Sequence, residues 1–475
     1  MLKTNFLLLG HSLVFQSFSL LRQSAFIMLF LSFLMTFSAC DEGRDVNPLT
    51  SKNVKDYDSK VIQDWQDLFL QIERYAEVYR PCPAARMAGY VGLAAYEANV
   101  AGMPEYQSIA PYFSGLNIPA AVKDKDYHWL TVTNTVYATL FKKFFANVRA
   151  SDLIKIFTLE IANNTHFSNT VDTEIFNRSK EYGTQVANAV WDYSATDTEG
   201  HNKYLDARPA GYNPPSGVGK WQPSAPNFAK AMFPYWGKVR TFAIKEEDKL
   251  ARPPIPYSEM KNSAYYAQGL EVYSRTSPQT AEDRWIAEFW SDDVLGFTFS
   301  PPARWLAIAN QVENIEKSNL ETAIMAAVKV GLALNDASVA CWNSKYVYNV
   351  ERPVTYITKM MQPSWNVATL TTNSFLSATP SFPAYPSGHS TFGAAAAEAL
   401  VSVFGANYTL TDRCHEARND FNGKPRTFDS FYDMASENAF SRIWLGVHWR
   451  MDCEEGLRLG YVVGRRVNAL PFKKQ

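Results

Sequence analysis

The chain lacks the composition that marks several large classes of protein. Its 46 Lys and Arg residues are balanced by 47 Asp and Glu residues, so the formal net charge is only -1. A chain without an excess of positive charge has no general attraction for nucleic acid or for an acidic membrane surface. Apolar residues make up 47% of the chain and charged residues 20%, which excludes a largely disordered protein. A local cluster of cations would therefore belong to one site.

Cysteine is also scarce, with five residues in 475. The spacings of the four that follow residue 40 match no metal-binding pattern, and export would permit disulfides without revealing their pairing. We expect these four to be buried or incidental thiols: Cys82, Cys341, Cys414 and Cys453. The sequence also contains no internal repeat and no low-complexity tract.

A long uncharged apolar run occurs only near the N-terminus, at residues 25–39. It is short for a membrane span but has the length of a signal-peptide core, and small residues precede Cys40, as in bacterial lipoproteins. We expect a lipoprotein-type signal peptide at 1–39, a lipidated Cys40 and a polar tether over 40–60. The protein would be exported and would contact a bacterial membrane, in the periplasm or at the cell surface, only through this lipid. An uncleaved anchor or an incorrectly assigned start is the alternative.

Alternating strand patterns are scarce, and apolar residues recur at the three-to-four spacing of helices. Ala-rich segments of this kind predict close-packed helices over residues 86–100, 127–150, 170–193, 320–342 and 391–404. Residues 196–257 are rich in proline, glycine and tryptophan and predict a long ordered loop region. The predicted fold class is all-α, with one helix-bundle catalytic domain over 61–475, built as two fused bundles.

The first segment whose residues could form part of a functional site contains Lys345 and Arg352, followed by Pro353. Seven residues separate the two cations, and on one helix this spacing would place both on the same face. A lone pair of this kind is usually a solvated basic face, so its meaning depends on the other segments.

The second segment is Pro386-Ser387-Gly388-His389, followed by an Ala-rich helix. Its position predicts that Ser387 and Gly388 lie at a helix N-terminus, where free N–H groups and the helix dipole favour an anion. Gly388 would let an oxyanion approach the backbone closely. His389, in the first turn, is then a candidate general acid–base group.

The third segment contains Arg442, His448 and Asp452. On a helix, the four-residue spacing of the last two would let the carboxylate accept a proton from one ring nitrogen. The other nitrogen would stay free as a nucleophile or metal ligand. The planar fork of Arg442 suits two oxygens of an oxyanion. Together the three segments predict one small site for an anion with several negative oxygens.

In this order the segments resemble the signature of the superfamily of vanadium-dependent haloperoxidases and type 2 phosphatidic acid phosphatases (PAP2). The matching pattern is Lys345-x6-Arg352-Pro353, Pro386-Ser387-Gly388-His389 and Ser441-Arg442-x5-His448-x3-Asp452. Upstream segments also resemble bacterial haloperoxidase-like members, so that the likeness extends over about residues 60–470. The resemblance implies an all-α fold and a site that binds either vanadate or a transferring phosphoryl group.

On the haloperoxidase side, the resemblance implies a vanadate cofactor with hydrogen peroxide and a halide as substrates. His448 would bind vanadium, His389 would move protons, and Lys345 would polarise peroxide. The implied oxyanion ligands are Lys345, Arg352, Ser387, the Gly388 amide and Arg442. Trp342 and Phe382 match ring positions of the halide pocket, although simple core packing is the alternative for each. Asp293 resembles an acidic residue that pairs with Arg442, with Asp292 beside it as the other candidate.

On the phosphatase side, the resemblance implies a soluble acid phosphatase of the PAP2 superfamily that acts on a phosphomonoester without a cofactor. His448 would form a phosphohistidine, Asp452 would steady it, and His389 would protonate the leaving alcohol. A third hypothesis is a binding lipoprotein with a decayed site, against which the intact residue set argues. The contexts of Trp342, Phe382 and 437–439 favour the haloperoxidase side.

Overall fold

The structure is a computed structural model, which describes residues 52–225, 228–367, 379–418 and 421–474. The predicted signal peptide, Cys40 and the first part of the predicted tether lie outside the described residues. The later part of that tether already contacts the folded protein. Val54 is completely buried, and the backbone N–H of Leu320 donates to the Tyr57 carbonyl at 2.8 Å.

The described residues form thirteen α-helices, several short 3-10 helices and one two-stranded sheet. The helices are α1 Lys60–Glu73, α2 Cys82–Asn99, α3 Trp129–Phe144, α4 Ala150–Ser168, α5 Thr173–Ala195, α6 Ala264–Thr276, α7 Ala281–Phe289, α8 Pro301–Glu316, α9 Leu320–Tyr348, α10 Pro353–Met360, α11 Gly388–Phe404, α12 Phe431–Trp444 and α13 Arg450–Asn468. Strands β1 Leu410–Asp412 and β2 Arg426–Phe428 pair antiparallel, with Thr411 opposite Thr427. The predicted all-α class is therefore confirmed.

Helix α9 is the centre of the fold. It is long and apolar enough to cross a membrane, but 94% of its most apolar window is buried inside the protein, as expected of a core helix. It packs most extensively against α2. At their crossing, a Cβ on Gly331 would lie 2.4 Å from the Ala88 carbonyl oxygen. Only glycine permits so close an approach of the two backbones.

The long loop region of residues 196–257 is confirmed, with three 3-10 helices as its regular structure among the described residues. Several hydrogen bonds attach it to α9, among them those of two buried side chains of that helix. The buried carboxylate of Asp336 accepts hydrogen bonds from the N–H groups of residues 242, 243 and 244, at 2.8, 2.7 and 3.0 Å. The N–H of Ala251 donates to the Ser344 hydroxyl at 2.9 Å. The loop therefore covers the end of α9, where Trp342 and Lys345 lie.

Helices α11 and α13 form the second layer around the site. A Cβ on Gly460 of α13 would lie 2.3 Å from the Thr391 carbonyl oxygen of α11, so this crossing is also a close one. The N-terminal ends of the two helices are joined directly, because the Ser387 N–H donates to the Asp452 carbonyl at 2.9 Å. This bond brings the second and third sequence segments together.

Candidate active site

Lys345 lies in the last turn of α9 and is completely buried. Its ammonium group donates to the carbonyl oxygens of Pro383, Ala384 and Pro386 at 2.9, 2.8 and 2.6 Å. All three ammonium protons are therefore used to hold the segment that leads into α11. In this arrangement Lys345 supplies positive charge to the site and not a direct hydrogen bond to an anion.

Arg352 is not on the same helix as Lys345, so the predicted helical face was wrong. Helix α9 ends where Asn349 adopts a left-handed conformation (φ 55°), and Arg352 is the N-cap residue of α10. Pro353 occupies the first position of α10, which explains the break. The Arg352 side chain still reaches the site. Its Nε donates to the Phe382 carbonyl at 3.0 Å and its Nη1 to the Val447 carbonyl at 2.9 Å.

The predicted helix N-terminus at Ser387 and Gly388 is confirmed. Ser387 is the N-cap of α11, and its hydroxyl oxygen accepts from the Ser390 N–H at 3.4 Å. A Cβ added to Gly388 would meet its nearest neighbour, the Trp342 ring, only at 3.6 Å, so there is space in front of this residue. His389 follows in the first turn and is 7% exposed. Its ring hydrogen-bonds the Asp292 backbone.

His448 and Asp452 are in contact, but not through the predicted helical spacing. His448 precedes Trp449, the N-cap of α13, and so lies in the turn before that helix. The Asp452 Oδ2 atom accepts from the Trp449 N–H at 3.1 Å and lies 2.8 Å from His448 Nδ1. Capping of α13 therefore brings the carboxylate to the ring.

The tautomer of His448 follows from its two neighbours. Arg352 Nη1 lies 3.1 Å from His448 Nε2, and a guanidinium can only donate. Nε2 must then be the acceptor, and the proton is on Nδ1, from which it is donated to Asp452. Burial lowers the pKa of His448 well below its usual value, so the ring is neutral and keeps a lone pair on Nε2.

Burial shifts the other titratable groups of the site in the direction that disfavours charge. It lowers the pKa of Lys345 to about 8 and that of His389 well below its usual value. It also lowers the pKa of Arg352 and Arg442, which keep their charge in proteins, and raises that of Asp452 to about 7. A bound anion would stabilise the positive charges that burial destabilises.

The site contains buried polar atoms that lack a hydrogen-bond partner among the described residues. Three of them belong to side chains that the sequence predicted as anion ligands or as the acid–base group: Arg352 Nη2, Arg442 Nε and His389 Nε2. Buried guanidinium donors without a partner are costly, which indicates that another group completes them. Among the described residues, no three His, Cys, Asp or Glu side chains are grouped as a metal-cation site. The donor set fits an oxyanion such as vanadate.

Trp342 and Phe382 lie beside these cations, as the resemblance implied. Their ring centroids are 5.0 Å apart, and both residues are buried. The Phe382 ring centroid lies 5.1 Å from Lys345 Nζ and 5.1 Å from Arg352 Cζ, so two cations face one ring. The two rings therefore form an apolar wall of the site as well as part of the core.

Among the described residues Asp293 does not form an ion pair with Arg442, although its carboxylate, like that of Asp292, acts to raise the pKa of Arg442. Asp293 forms an ion pair with Arg80 at 3.8 Å, and its side chain is 35% exposed. Its neighbour Asp292 is buried, and of the two carboxylates it has the larger effect on the pKa of Arg442. Asp293 has a left-handed backbone conformation (φ 102°), and it is exposed whereas Asp292 is buried. Sequence alone could not decide between adjacent aspartates because their burial depends on the tertiary structure.

Sequence reasoning missed the contributions of the backbone. The Trp290 carbonyl accepts from Arg442 Nη1 at 2.8 Å, and carbonyls of residues 383–386 hold Lys345. The proline-rich sequence before Ser387 is the only local sign of the carbonyls that accept from Lys345.

The cysteines match the expectation, since Cys82, Cys341 and Cys453 are buried, Cys414 is half-buried and all four are free.

Comparisons with known proteins find similarity to vanadium haloperoxidases. The model of the VCPO second helical-bundle domain matches residues 325–472. The vanadium chloroperoxidase of Curvularia inaequalis is 28% identical over 298 residues, an alignment that covers 48% of each protein. The chain therefore spans about half the length of that curated relative.

Solved structures extend the likeness over most of the chain. The first bacterial vanadium-dependent iodoperoxidase is 27% identical with a TM-score of 0.76, covering 88% of this chain and 98% of that one. A holo-type bacterial vanadium-dependent chloroperoxidase shares the fold at 15% identity and a TM-score of 0.61, covering 83% and 92%. The expected resemblance to vanadium haloperoxidases is confirmed.

Proposed function

We propose that this chain, a relative of the vanadium haloperoxidases in sequence and fold, is a vanadate-dependent haloperoxidase-like enzyme that oxidises a halide with hydrogen peroxide. The proposal depends chiefly on one observation. The unpartnered donors of Arg352 and Arg442 occur in the same buried site as a neutral His448, whose Nε2 lone pair accepts from Arg352 Nη1 in the free site. A small oxyanion would accept from these guanidinium donors and could replace Arg352 as the partner of His448 Nε2.

Vanadate, when bound, would supply the Lewis acidity that activates hydrogen peroxide towards a halide. His448 would bind it through Nε2, and Asp452 would keep the ring proton on Nδ1. Arg352, Arg442, the Ser387 hydroxyl and the Gly388 amide would hold its oxygens. Lys345 would add charge while its protons hold the backbone.

Proton movement is the proposed role of His389. Its hydrogen bond to the Asp292 backbone leaves Nε2 without a partner, and the depressed pKa keeps the ring neutral. A bound anion would raise the pKa of this imidazole, which could then accept a proton from peroxide and return it later. Trp342 and Phe382 would exclude water on the side where a halide approaches. These residues do not specify which halide reacts.

The alternative is phosphomonoester hydrolysis through a phosphohistidine at His448, because the same donors suit a phosphoryl group. Two assays on purified protein separate the functions. Halogenation is followed with vanadate, peroxide and bromide or iodide, and phosphomonoester hydrolysis is measured without vanadate. We expect vanadate-dependent halogenation that is lost in His448→Ala. Strong hydrolysis without halogenation would favour the phosphatase, and anion binding without either activity would favour a decayed site.

We also propose that the protein is exported and anchored by a lipid on Cys40. Support comes from the sequence alone, in the uncharged run of residues 25–39 and the small residues before the cysteine. Labelling of cells with a fatty-acid analogue tests it. We expect the label in the wild-type chain and its loss in Cys40→Ser, and an unlabelled wild-type chain would contradict the proposal.

A further inference from the structure

Trp290, the residue after α7, links the candidate site to a part of the fold outside it. Its carbonyl oxygen accepts from Arg442 Nη1 at 2.8 Å. Its indole Nε1 donates to the Glu437 Oε1 atom at 2.9 Å. One residue therefore holds an anion-binding arginine with its backbone while its own ring is held by a carboxylate.

Glu437 is itself fixed by Arg426 of β2. Arg426 Nε donates to Glu437 Oε1 at 2.8 Å and Nη2 donates to Oε2 at 2.7 Å, which is the paired geometry of an arginine fork on a carboxylate. The Trp290 ring is completely buried, and the Arg304 guanidinium lies 4.9 Å from its centroid. The ring has little freedom to move while these contacts persist.

The segment that Trp290 begins also contacts the acid–base candidate. Two residues later, the Asp292 backbone hydrogen-bonds the His389 ring. A displacement of Trp290 would therefore change the positions of both Arg442 and His389, although Glu437 touches neither in the hydrogen bonds of the described residues.

We propose that Glu437 is a positioning residue that, through Trp290, aims Arg442 at the bound anion. This inference rests on the proposed function, because it concerns the orientation of Arg442 in the same anion site. A carboxylate is required because Oε1 accepts from both the indole and Arg426 while Oε2 accepts from Arg426. A glutamine has one acceptor and one donor, so its amide nitrogen would face a guanidinium or an indole N–H.

The test uses the full chain and inorganic phosphate as the probe. Phosphate affinity is measured by calorimetry, and the environment of the bound anion by its 31P chemical shift. The variants are Glu437→Gln, Trp290→Phe and the double variant. The control is Glu282→Gln. Glu282 Oε1 accepts from Nη1 of the same Arg426 at 3.1 Å, but Glu282 does not hydrogen-bond Trp290 among the described residues.

We expect Glu437→Gln and Trp290→Phe each to weaken phosphate binding by about 10-fold to 100-fold, the usual effect of removing a group that orients a ligand. Both should also shift the 31P signal, and the double variant should be no weaker than the worse single variant, because both changes break one link. Glu282→Gln should bind as the wild type does.

Three outcomes would overturn the inference. The first is wild-type phosphate affinity and an unchanged 31P signal in Glu437→Gln despite a lower melting temperature, which is the result of a purely structural role. The second is additive losses in the double variant. The third is an equal loss in Glu282→Gln. Absence of phosphate and vanadate binding in the wild type would instead overturn the proposed function, so the two failures are distinguishable.

Discussion

The Nδ1 atom of His448 lies 2.8 Å from the Oδ2 atom of Asp452, and the same Oδ2 atom caps α13 through the Trp449 N–H. A single carboxylate oxygen thus fixes both the start of a helix and the tautomer of the proposed vanadate ligand. The capping of α13 and the position of the ring proton of His448 therefore depend on the same carboxylate, and replacing this carboxylate tests the second role.

Replacement of Asp452 should weaken anion binding, and the loss should be larger for alanine than for asparagine. Asp452→Ala removes the acceptor of the Nδ1 proton, so the lone pair is no longer confined to Nε2, and we expect vanadate affinity to fall by about 10-fold to 100-fold. Asp452→Asn should lose less, because its amide oxygen can still accept from both donors. Calorimetric titration with vanadate measures the affinity, and circular dichroism checks the fold. Wild-type affinity in Asp452→Ala would contradict the role given to this contact.

Replacement of Gly388 should separate stability from anion binding. The nearest atom to a Cβ at this position is 3.6 Å away, so Gly388→Ala meets no steric obstacle from the protein. The added methyl group would instead fill the space in front of the backbone amide. We expect an unchanged or slightly higher melting temperature, because alanine restricts the unfolded chain, with at least about a tenfold loss of phosphate affinity, or 1.4 kcal/mol.

Gly211→Ala is the matched control, because no neighbour lies within 4 Å of a Cβ there. It should show the same small effect on the melting temperature, with unchanged phosphate affinity. Equal phosphate affinities in Gly388→Ala and the wild type would show that the anion does not approach this amide.

Anion binding should depend on pH through Lys345. Burial lowers its pKa to about 8 in the free protein, and a neighbouring anion would raise it, because the charged form gains a partner. The affinity for phosphate should therefore be nearly constant on the acidic side of this pKa and fall as pH rises above about 8, approaching tenfold per pH unit where one proton is taken up on binding. Calorimetry between pH 7.5 and 9.5, in buffers of different ionisation enthalpy, measures both the affinity and the proton uptake.

Lys345→Met supplies the comparison for this pH dependence. It should bind more weakly at every pH and lose the dependence near pH 8. A variant that keeps the wild-type dependence would assign the titration to another group.

The attachment of the loop region to α9 should be a major source of stability. Asp336 is completely buried and accepts three backbone hydrogen bonds from residues 242–244. Asp336→Ala leaves these N–H groups unpaired, and we expect the free energy of unfolding to fall by about 2–4 kcal/mol. Urea unfolding measures the loss, and hydrogen exchange should accelerate at those amides. Asp206→Ala, at an exposed residue of the same loop, should change neither.

Much of the site was predictable because its residues occur in short segments with local rules. Proline followed by Ser387 and an Ala-rich run predicts a helix N-terminus, and the structure has Ser387 as the N-cap of α11. The helical periodicity likewise predicted the all-α class and five of the thirteen helices of the described residues. Such local patterns survive folding because capping and periodicity depend on neighbours in the chain.

The helical arguments for Lys345 with Arg352 and for His448 with Asp452 identified groups that meet, but for the wrong reason. Neither pair shares a continuous helix, since Asn349 ends α9 and Trp449 begins α13. A spacing of four or seven residues is compatible with a turn as well as with a helix, and the sequence does not contain the distinction.

The sequence by itself determined the all-α class, the helix N-terminus at Ser387 and the set of cationic and imidazole side chains. Only the tertiary structure decided that the ammonium group of Lys345 donates to backbone carbonyls. It also decided that Asp292 and not Asp293 is buried, and that Trp290 connects Glu437 to Arg442. The physical reason is that these contacts join residues far apart in the chain. Their geometry depends on how helices and loops pack, which no local pattern encodes.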